Sequence, residues 1–212
     1  MTTLDSLSLQ ANKKSQLRNT MRRLRHQLPD QVQTDRANQL SDKLTHWPAF
    51  QSAKRLAMYL AQDGELSLEP LIKHCWHLQK QTFLPVLRPL PPNRLWFAPY
   101  HRDTDLQPNR YNIPEPNNAP QLNCRASQLN LVLFPLVAFD NKGGRLGMGG
   151  GFYDRTFEHL NPLDKRPLFV GVAHREQQVT ELPIEQWDIP LDAVATPEKI
   201  HTFNPSVVNA TK

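Results

Sequence analysis

The sequence predicts an α/β fold, a single domain whose largely parallel central sheet is flanked by helices. First, short apolar runs of strand length recur along the chain and alternate with segments of helical periodicity. Second, these runs are compact and apolar, as expected of parallel strands that are covered on both faces. Third, the chain has 212 residues, and many of its 19 prolines lie between the runs, which suits one domain with well-marked connectors.

The N-terminal part is predicted to form two helices. Apolar side chains recur at every third or fourth position of residues 13–28, and Pro29 follows as a natural end. A second helix is expected over residues 30–47, with Pro48 ending it. The first would be an amphipathic helix, and the second would direct Val32, Leu40 and Leu44 inward.

The remaining elements alternate along the chain. Strands are predicted at 55–61, 81–87, 94–98, 129–134, 168–173 and 191–196. Further helices are predicted at 67–78 and 152–160. The polar, proline-rich residues 101–127 are predicted to be a long irregular excursion, which is uncommon unless it is functional or disordered. The residues after Ile200 are expected to be frayed.

The positive charge of the chain is confined to its first quarter. The net charge is +5, and residues 1–55 hold ten Lys and Arg against four Asp. In the first predicted helix, Lys14, Arg18, Arg22 and Arg25 follow a spacing that places them in one stripe. An anionic partner is therefore predicted, and composition alone leaves open whether it is a nucleic acid or a smaller polyphosphate or polycarboxylate.

Several classes of protein are excluded by what the sequence lacks. No apolar stretch approaches the ~18–20 residues of a membrane span, and residues 1–11 lack the apolar core of a signal peptide. The two cysteines, Cys75 and Cys124, are too few for a disulfide framework or a four-ligand zinc site. We therefore expect a soluble cytoplasmic protein with no membrane partner.

One loop concentrates the residues that suggest chemistry. Six of the eight glycines lie between positions 143 and 151, in GGRLGMGGGFYDR. Glycines let backbone N–H groups approach a ligand, and successive N–H groups before a helix can bind an anion. Arg145 could bind phosphate oxygens, and Asp154 could hold a magnesium ion that bridges phosphates. The loop fits neither a Walker A nor a GxGxxG pattern, and a flexible surface loop is the alternative.

This loop and four other blocks resemble a known family. Residues 134–155, FPLVAFDNKGGRLGMGGGFYDR, are similar to the signature of the 5-formyltetrahydrofolate cyclo-ligases, also called 5,10-methenyltetrahydrofolate synthetases. The supporting blocks are KSQLR (14–18), MYLAQDGELS (58–67), IPEP (113–116) and LPIEQWDIPLDAVATP (182–197). The resemblance implies a fold like that of the NagB, RpiA and CoA-transferase proteins, in one cyclo-ligase domain over 1–200 with a flexible tail over 201–212.

The resemblance also implies a reaction and its cofactor. It implies that ATP and Mg²⁺ are used to convert 5-formyltetrahydrofolate into 5,10-methenyltetrahydrofolate, with release of ADP and phosphate. The formyl oxygen would be phosphorylated first, which turns a poor leaving group into a good one. The expected partners are therefore these two small substrates, with no specific nucleic acid, and the expected state is a monomer.

The resemblance also implies roles for individual residues of this chain. The residues matching ATP contacts are Lys14, Arg18, Arg145, Gly147, Met148, Gly149, Gly150, Gly151, Phe152 and Tyr153. Those matching folate contacts are Leu60, Glu65 and Tyr153, and those matching metal ligands are Asp154 and Asp192. Met148, Gly150 and Phe152 depart from residues common in relatives, which affects the details of the triphosphate contacts.

Simpler interpretations stay open at this point. Leu60 could be plain core, Glu65 an exposed turn residue, and Asp192 a turn residue at a strand edge. Trp96 and Trp187 could line a pterin pocket or pack in the core, and His174 is expected at the surface. A nucleic-acid-binding protein and an unrelated nucleotide-binding α/β domain remain competing functions. The latter would explain the glycine loop but not the other blocks.

Overall fold

The computed structural model describes residues 3–160, 166–185 and 187–205. Its strands are β1 (Arg55–Ala57), β2 (Gln81–Leu87), β3 (Leu95–Pro99), β4 (Leu106–Pro108), β5 (Pro114–Pro116), β6 (Leu131–Pro135), β7 (Ala138–Phe139), β8 (Arg145–Leu146), β9 (Leu168–Val172), β10 (Ala193–Ala195) and β11 (Ile200–Thr202). Its α-helices are α1 (Thr3–His26), α2 (Asp30–Thr45), α3 (Pro48–Ser52), α4 (Glu69–His77) and α5 (Phe152–Phe157).

A seven-stranded sheet forms the centre of the molecule, in the order β11-β10-β9-β6-β1-β2-β3. The five inner strands pair in parallel, whereas the edge strands β3 and β11 are antiparallel to their neighbours. The inner strands are apolar because both faces of the sheet are covered. The predicted α/β fold with a largely parallel sheet is therefore confirmed.

Two apolar clusters cover the two faces of the sheet. One joins α2, α3 and α4 to side chains such as Leu56 and Leu131, and the other packs Phe134, Phe157 and Phe169 around α5. A third, smaller cluster seats Leu17 and Met21 of α1 on the β7–β8 hairpin. The amphipathic pattern of α1 therefore positions its cationic side chains beside the segments that follow β6.

The observed elements differ from the predicted ones at several boundaries. The first helix begins ten residues earlier than predicted, and Pro48 opens the short α3 because proline is well suited to the first helical turn. The predicted excursion at 101–127 contains the β4–β5 hairpin. The predicted tail starts too early, because Ile200–Thr202 pairs with Ala193–Ala195 in the sheet. The last part of that tail, residues 206–212, lies outside the described residues.

Within the described ranges, no helix is both long and apolar enough to cross a membrane.

Candidate active site

A cavity of about 850 Å³ opens at the carboxyl ends of β1 and β6. This is the edge at which open α/β sheets bind their ligands. The chain after β1 contributes residues 59–65, and Pro135 and Leu136 come from the end of β6. The rest of the wall comes from α1, β2, the start of β3, the β4–β5 hairpin, β8, the glycine loop, α5 with Glu158, and residues 187–188.

Nearly all of the predicted site residues line this cavity. These are Lys14, Arg18, Leu60, Glu65, Arg145, Gly147, Met148, Gly149, Gly150, Gly151, Phe152, Tyr153 and Asp154. They come from three separate stretches of sequence, 14–18, 60–65 and 145–154, which the fold brings together. The predicted metal ligand Asp192 is absent from the lining.

Two cations of α1 reach the cavity. The Nε of Arg18 donates to the carbonyl of Gly147 at 2.8 Å, and Lys14 Nζ lies 3.4 Å from Glu185 and 3.6 Å from Asp188. Burial lowers the pKa of the Arg18 guanidinium from its ordinary value, an effect that the nearby Asp188 opposes. These cations therefore stand beside the glycine loop, partly removed from water.

The other two cations of the predicted stripe face a different partner. Arg22 and Arg25 both donate to the carboxylate of Asp63, each with a nitrogen–oxygen distance of 2.7 Å. Arg25 is 1% exposed and also donates to the carbonyl of Leu136. The four cations follow one face of α1 as predicted, but the stripe is divided: Lys14 and Arg18 reach the cavity, whereas Arg22 and Arg25 are engaged in a salt-bridged cluster.

The glycine loop follows the cavity wall from Gly147 into α5. Gly149 has a φ of +101° and Gly151 a φ of +61°, conformations that favour glycine. The guanidinium of Arg18 covers Gly149, so that a Cβ there would lie 3.4 Å from the Arg18 Cζ. The loop therefore places its backbone beside the guanidinium of Arg18, immediately before the six-residue α5.

Arg145 is a fixed cation rather than a mobile one. Its Nη2 lies 2.5 Å from Asp154 Oδ1, and its Nη1 donates to the carbonyl of Ile189. The guanidinium also stacks over the ring of Phe134, 4.8 Å from the centroid. Asp154 Oδ1 in turn accepts the backbone N–H of Ile189 at 3.1 Å. Ile189 could not be predicted as a site residue, because only its backbone takes part in these contacts.

Asp192 cannot serve as the second metal ligand in this arrangement. Its two carboxylate oxygens each accept a 2.7 Å bond from Arg166, and Oδ2 also accepts the N–H of Phe169. The side chain is 3% exposed and joins β9 to β10. The expectation for Asp192 is therefore corrected to a buried structural ion pair. Within residues 3–160, 166–185 and 187–205, no group of three His, Cys, Asp or Glu side chains could hold a metal ion.

The predicted folate residues form a more apolar part of the cavity. Tyr153 packs on Phe134 with ring centroids 4.9 Å apart, and burial raises the pKa of its hydroxyl, as does the nearby Glu65. Glu65 is half-buried, and its Oε2 accepts the N–H of Gln62 at 3.1 Å. Burial raises the pKa of Glu65 to about 7, although the Gln62 N–H and Arg25 oppose this shift. Leu60 both packs on the core and lines the cavity.

Of the two tryptophans that could line a pterin pocket, one lines the cavity and the other does not. Tyr111, Ile113 and Glu115 of the β4–β5 hairpin line the cavity, as does Trp187, whereas Trp96 lies under Arg88 and does not. The surface expectation for His174 is wrong: it is 1% exposed, and burial together with Arg36 lowers its pKa to about 4. Sequence reasoning missed Asp63 and Asp188, whose partners lie on the distant α1.

The raised pKa of Glu65 predicts a stability cost at high pH. The unfolded chain ionises this group near pH 4.3, whereas the folded protein does so near pH 7. The free energy of unfolding therefore falls as the pH rises between these two values. Glutamine cannot ionise, so Glu65→Gln should be more stable than wild type at pH 8 by on the order of 1–2 kcal/mol. Urea unfolding at pH 8 and pH 4 measures this difference, which should vanish at pH 4.

A matched control for this measurement is Glu198→Gln, at an exposed position. Its effect on the free energy of unfolding should be small at both pH values. A Glu65→Gln effect of equal size at pH 4 and pH 8 would contradict the assignment of this carboxyl group as a buried acid.

Comparison with known proteins gives one consistent result. The sequence profile of the 5-formyltetrahydrofolate cyclo-ligase family matches residues 10–197. A 5-formyltetrahydrofolate cyclo-ligase of Escherichia coli (strain K12) is 41% identical over 180 residues, which cover 85% of this chain and 98% of that relative. The Haemophilus influenzae cyclo-ligase is 38% identical over 183 residues, 86% of this chain and 97% of the relative.

Solved structures agree with the sequence relatives. The NMR structure of Aquifex aeolicus 5,10-methenyltetrahydrofolate synthetase superposes with a TM-score of 0.76 at 28% identity, over 90% of this chain and 92% of that one. A 5,10-methenyltetrahydrofolate synthetase from Mycoplasma pneumoniae, at 21% identity, has the same fold with a TM-score of 0.68 over 87% of this chain and 98% of that one.

Proposed function

Since the chain belongs to the 5-formyltetrahydrofolate cyclo-ligase family and has the ligase activity of that family, we propose that ATP and 5-formyltetrahydrofolate react in the 850 Å³ cavity. The observation that carries this proposal is that one cavity combines cations and a glycine loop with an apolar, aromatic wall and a half-buried carboxyl group. The first set suits a triphosphate, and the second suits a flat heterocycle with N–H donors.

The nucleotide belongs at the α1 side of the cavity in this proposal. Arg18 and Lys14 would bind triphosphate oxygens together with the N–H groups of Gly147–Gly151. Lys14 now faces the carboxylates of Glu185 and Asp188, so the triphosphate would replace an existing ionic partner. Arg145, fixed by Asp154 and Ile189, would present its charge to the phosphoryl group in transfer without any rearrangement.

Magnesium would be held by Asp154. One of its oxygens is occupied by Arg145 and Ile189, while Oδ2 accepts no hydrogen bond from the described residues and the side chain faces the cavity. Mg²⁺ commonly binds one or two carboxylates together with waters and substrate phosphates, and the single available carboxylate oxygen fits this pattern. The ion would neutralise charge on the phosphates.

Replacing Asp154 by asparagine should therefore change the requirement for magnesium. We expect Asp154→Asn to lower turnover at least tenfold at limiting Mg²⁺ and to recover part of it at high Mg²⁺. The physical reason is that an amide keeps the size of the carboxylate but loses the negative charge that attracts the ion. Rates measured across a Mg²⁺ titration give this result directly. A variant whose half-saturating Mg²⁺ equals that of wild type would contradict the assignment.

The folate belongs on the apolar wall. Among the carboxyl groups of described residues that line the cavity, Glu65 is the one without a strong partner. Four of the others are each paired with a cation: Asp63, Asp154, Glu158 and Asp188. Glu115 accepts hydrogen bonds from two neutral donors. Glu65 accepts a single bond from the N–H of Gln62. Its carboxyl group is therefore available to accept N–H groups of the pterin, and Leu60 and Tyr153 would contact the ring.

The chemistry follows from this placement. The formyl oxygen would attack the γ-phosphorus of ATP and ADP would leave, which converts the formyl oxygen into part of a phosphate ester. N10 would then attack the activated carbon and lose its proton, and inorganic phosphate would leave. The role of the protein is to align the two substrates and to neutralise the charge that moves between them.

A nucleic-acid partner is disfavoured by the same geometry. Of the four cations in the predicted stripe, Arg22 and Arg25 are engaged by Asp63, and Arg18 is bound to Gly147. The proposed site is complete within one chain, which is consistent with a monomer. Two unpaired cysteines, Cys75 and Cys124, suit a reducing compartment, and we propose the cytoplasm.

The direct test is to mix the purified protein with MgATP and 5-formyltetrahydrofolate and to follow the absorbance of the methenyl product. We expect product and inorganic phosphate in equal amounts and no reaction without ATP. A titration with labelled DNA should show only weak binding that falls steeply with salt. Tight DNA binding at physiological salt, together with no methenyl product, would contradict the proposed function.

A further inference from the structure

Asp63 is the centre of a salt-bridged cluster that the reaction itself does not use. Its Oδ2 lies 2.7 Å from Arg22 Nε and 2.7 Å from Arg25 Nη2. Its Oδ1 lies 3.0 Å from Arg22 Nη2 and 2.7 Å from His26 Nε2. Hydrogen bonds from Arg22, together with His26 and Arg25, hold the pKa of Asp63 well below its usual range despite partial burial. Three side chains from the last turns of α1 thus converge on one carboxylate.

The cluster fixes a tight turn over residues 62–65. Asp63 and Gly64 both have left-handed backbone conformations, with φ values of +54° and +71°. The N–H of Glu65 donates to the carbonyl of Gln62 at 2.9 Å. Gly64 lies directly against Arg25, since a Cβ there would be 3.1 Å from the Arg25 Cβ. An Asp-Gly pair adopts left-handed backbone conformations readily, so the contacts with α1 fix where this turn lies and do not create it.

The two carboxylates of this turn have opposite surroundings. Both oxygens of Asp63 are saturated by cations, which leaves little capacity to bind a ligand even though the residue borders the cavity. Glu65, two residues later, has only the backbone bond from Gln62. One carboxylate is suited to anchoring the turn, and the other to meeting a substrate.

We propose that Asp63 is a positioning residue, which holds the turn 62–65 on α1 so that the Glu65 carboxylate meets the pterin. This inference rests on the proposed function, because it takes Glu65 as the folate-binding carboxylate. It assigns Arg22, Arg25 and His26 a part in folate affinity although none of them lines the cavity. It also makes α1 a support shared by both substrates, since the same helix carries Lys14 and Arg18.

The test is a double-mutant cycle of Asp63→Asn and Glu65→Gln, with KM measured separately for folate and for ATP. Asparagine keeps the size of Asp63 but replaces one acceptor oxygen by a donor, which opposes the guanidinium groups. We expect Asp63→Asn to raise the folate KM by about five- to tenfold and to leave the ATP KM within twofold. In the Glu65→Gln background, Asp63→Asn should add less than twofold. Asp42→Asn, at an exposed position on α2, is the matched control and should change neither KM.

Thermal unfolding of each variant separates positioning from a loss of folding. If Asp63→Asn fails to fold, Arg22→Ala replaces it, because that side chain is 43% exposed and its removal leaves Arg25 and His26 on Asp63. Arg22→Ala should raise the folate KM two- to threefold, again only when Glu65 is present. An unchanged folate KM in the Asp63 or Arg22 variants would overturn the inference. It would also be overturned if the folate KM of the double variant rose by the full product of the two single-variant increases. An unchanged folate KM in Glu65→Gln alone would instead overturn the proposed role of Glu65.

Discussion

Arg145→Lys is expected to lower kcat by about 100-fold, less than the roughly 10³–10⁵-fold that a phosphoryl-transfer arginine supplies, because lysine keeps the positive charge. The Arg145 guanidinium reaches Ile189, Asp154 and Phe134 at once. A lysine keeps the charge but lacks the planar fork and cannot stack on Phe134 in the same way. The charge would then no longer be fixed where the phosphoryl group is transferred. Steady-state rates at saturating ATP and folate measure this loss.

The control for this prediction is Arg155→Lys, which also lines the cavity. Its guanidinium donates to the carbonyls of Gly150 and Asn93 and has no acidic partner among the described residues. We expect Arg155→Lys to change kcat no more than about fivefold. Equal losses in the two variants would show that the cavity is disturbed in general, and would contradict a specific role for Arg145.

The second large effect is expected on ATP affinity. Arg18→Ala removes a half-buried cation that covers Gly149 and donates to Gly147, and we expect the ATP KM to rise by at least 20-fold. Charge-assisted bonds to a partly desolvated anion are worth roughly 1.5–3 kcal/mol, which corresponds to such a change. Lys14→Ala should act in the same direction but less strongly, since Lys14 would have to give up its contacts with Glu185 and Asp188 to bind the nucleotide. KM measurements for ATP at fixed, saturating folate give both values.

Neighbouring cations of α1 provide matched controls for this series. Lys13 and Arg23 are exposed, so Lys13→Ala and Arg23→Ala should leave the ATP KM within twofold. If these variants raise the ATP KM as much as Arg18→Ala does, the nucleotide is attracted by the overall positive charge of the helix. A specific contact with Arg18 would then be contradicted.

Local patterns in the sequence predicted the fold and the glycine loop well. The strand Gln81–Leu87 and the loop Gly147–Tyr153 depend on runs of adjacent residues, and both were located correctly. The loop was found because clustered glycines serve a backbone geometry that few other residues allow. Such features are encoded over a few positions and need no knowledge of distant partners.

Ion pairs between residues that are far apart in the sequence could not be predicted in this way. The resemblance implies a metal ligand at Asp192, but its carboxylate is taken by Arg166, which lies 26 residues earlier on the other side of a strand. The stripe on α1 was placed on one helical face correctly, yet its division between the cavity and Asp63 depends on where the turn 62–65 lies. In both cases the charges were visible in the sequence, and only the fold decides which opposite charge each one meets.

The shared helix α1 has a consequence for how the chain can change in length. Lys14 and Arg25 are eleven residues apart, about 16 Å along a helix, and each end of this span is fixed by contacts to a different part of the protein. One residue inserted between Arg18 and Arg22 would rotate the later cations by about 100° relative to the earlier ones. The contacts with Gly147 and with Asp63 could then not form together. Insertions should therefore be tolerated before Lys14 and rejected within this span, whatever residue is inserted.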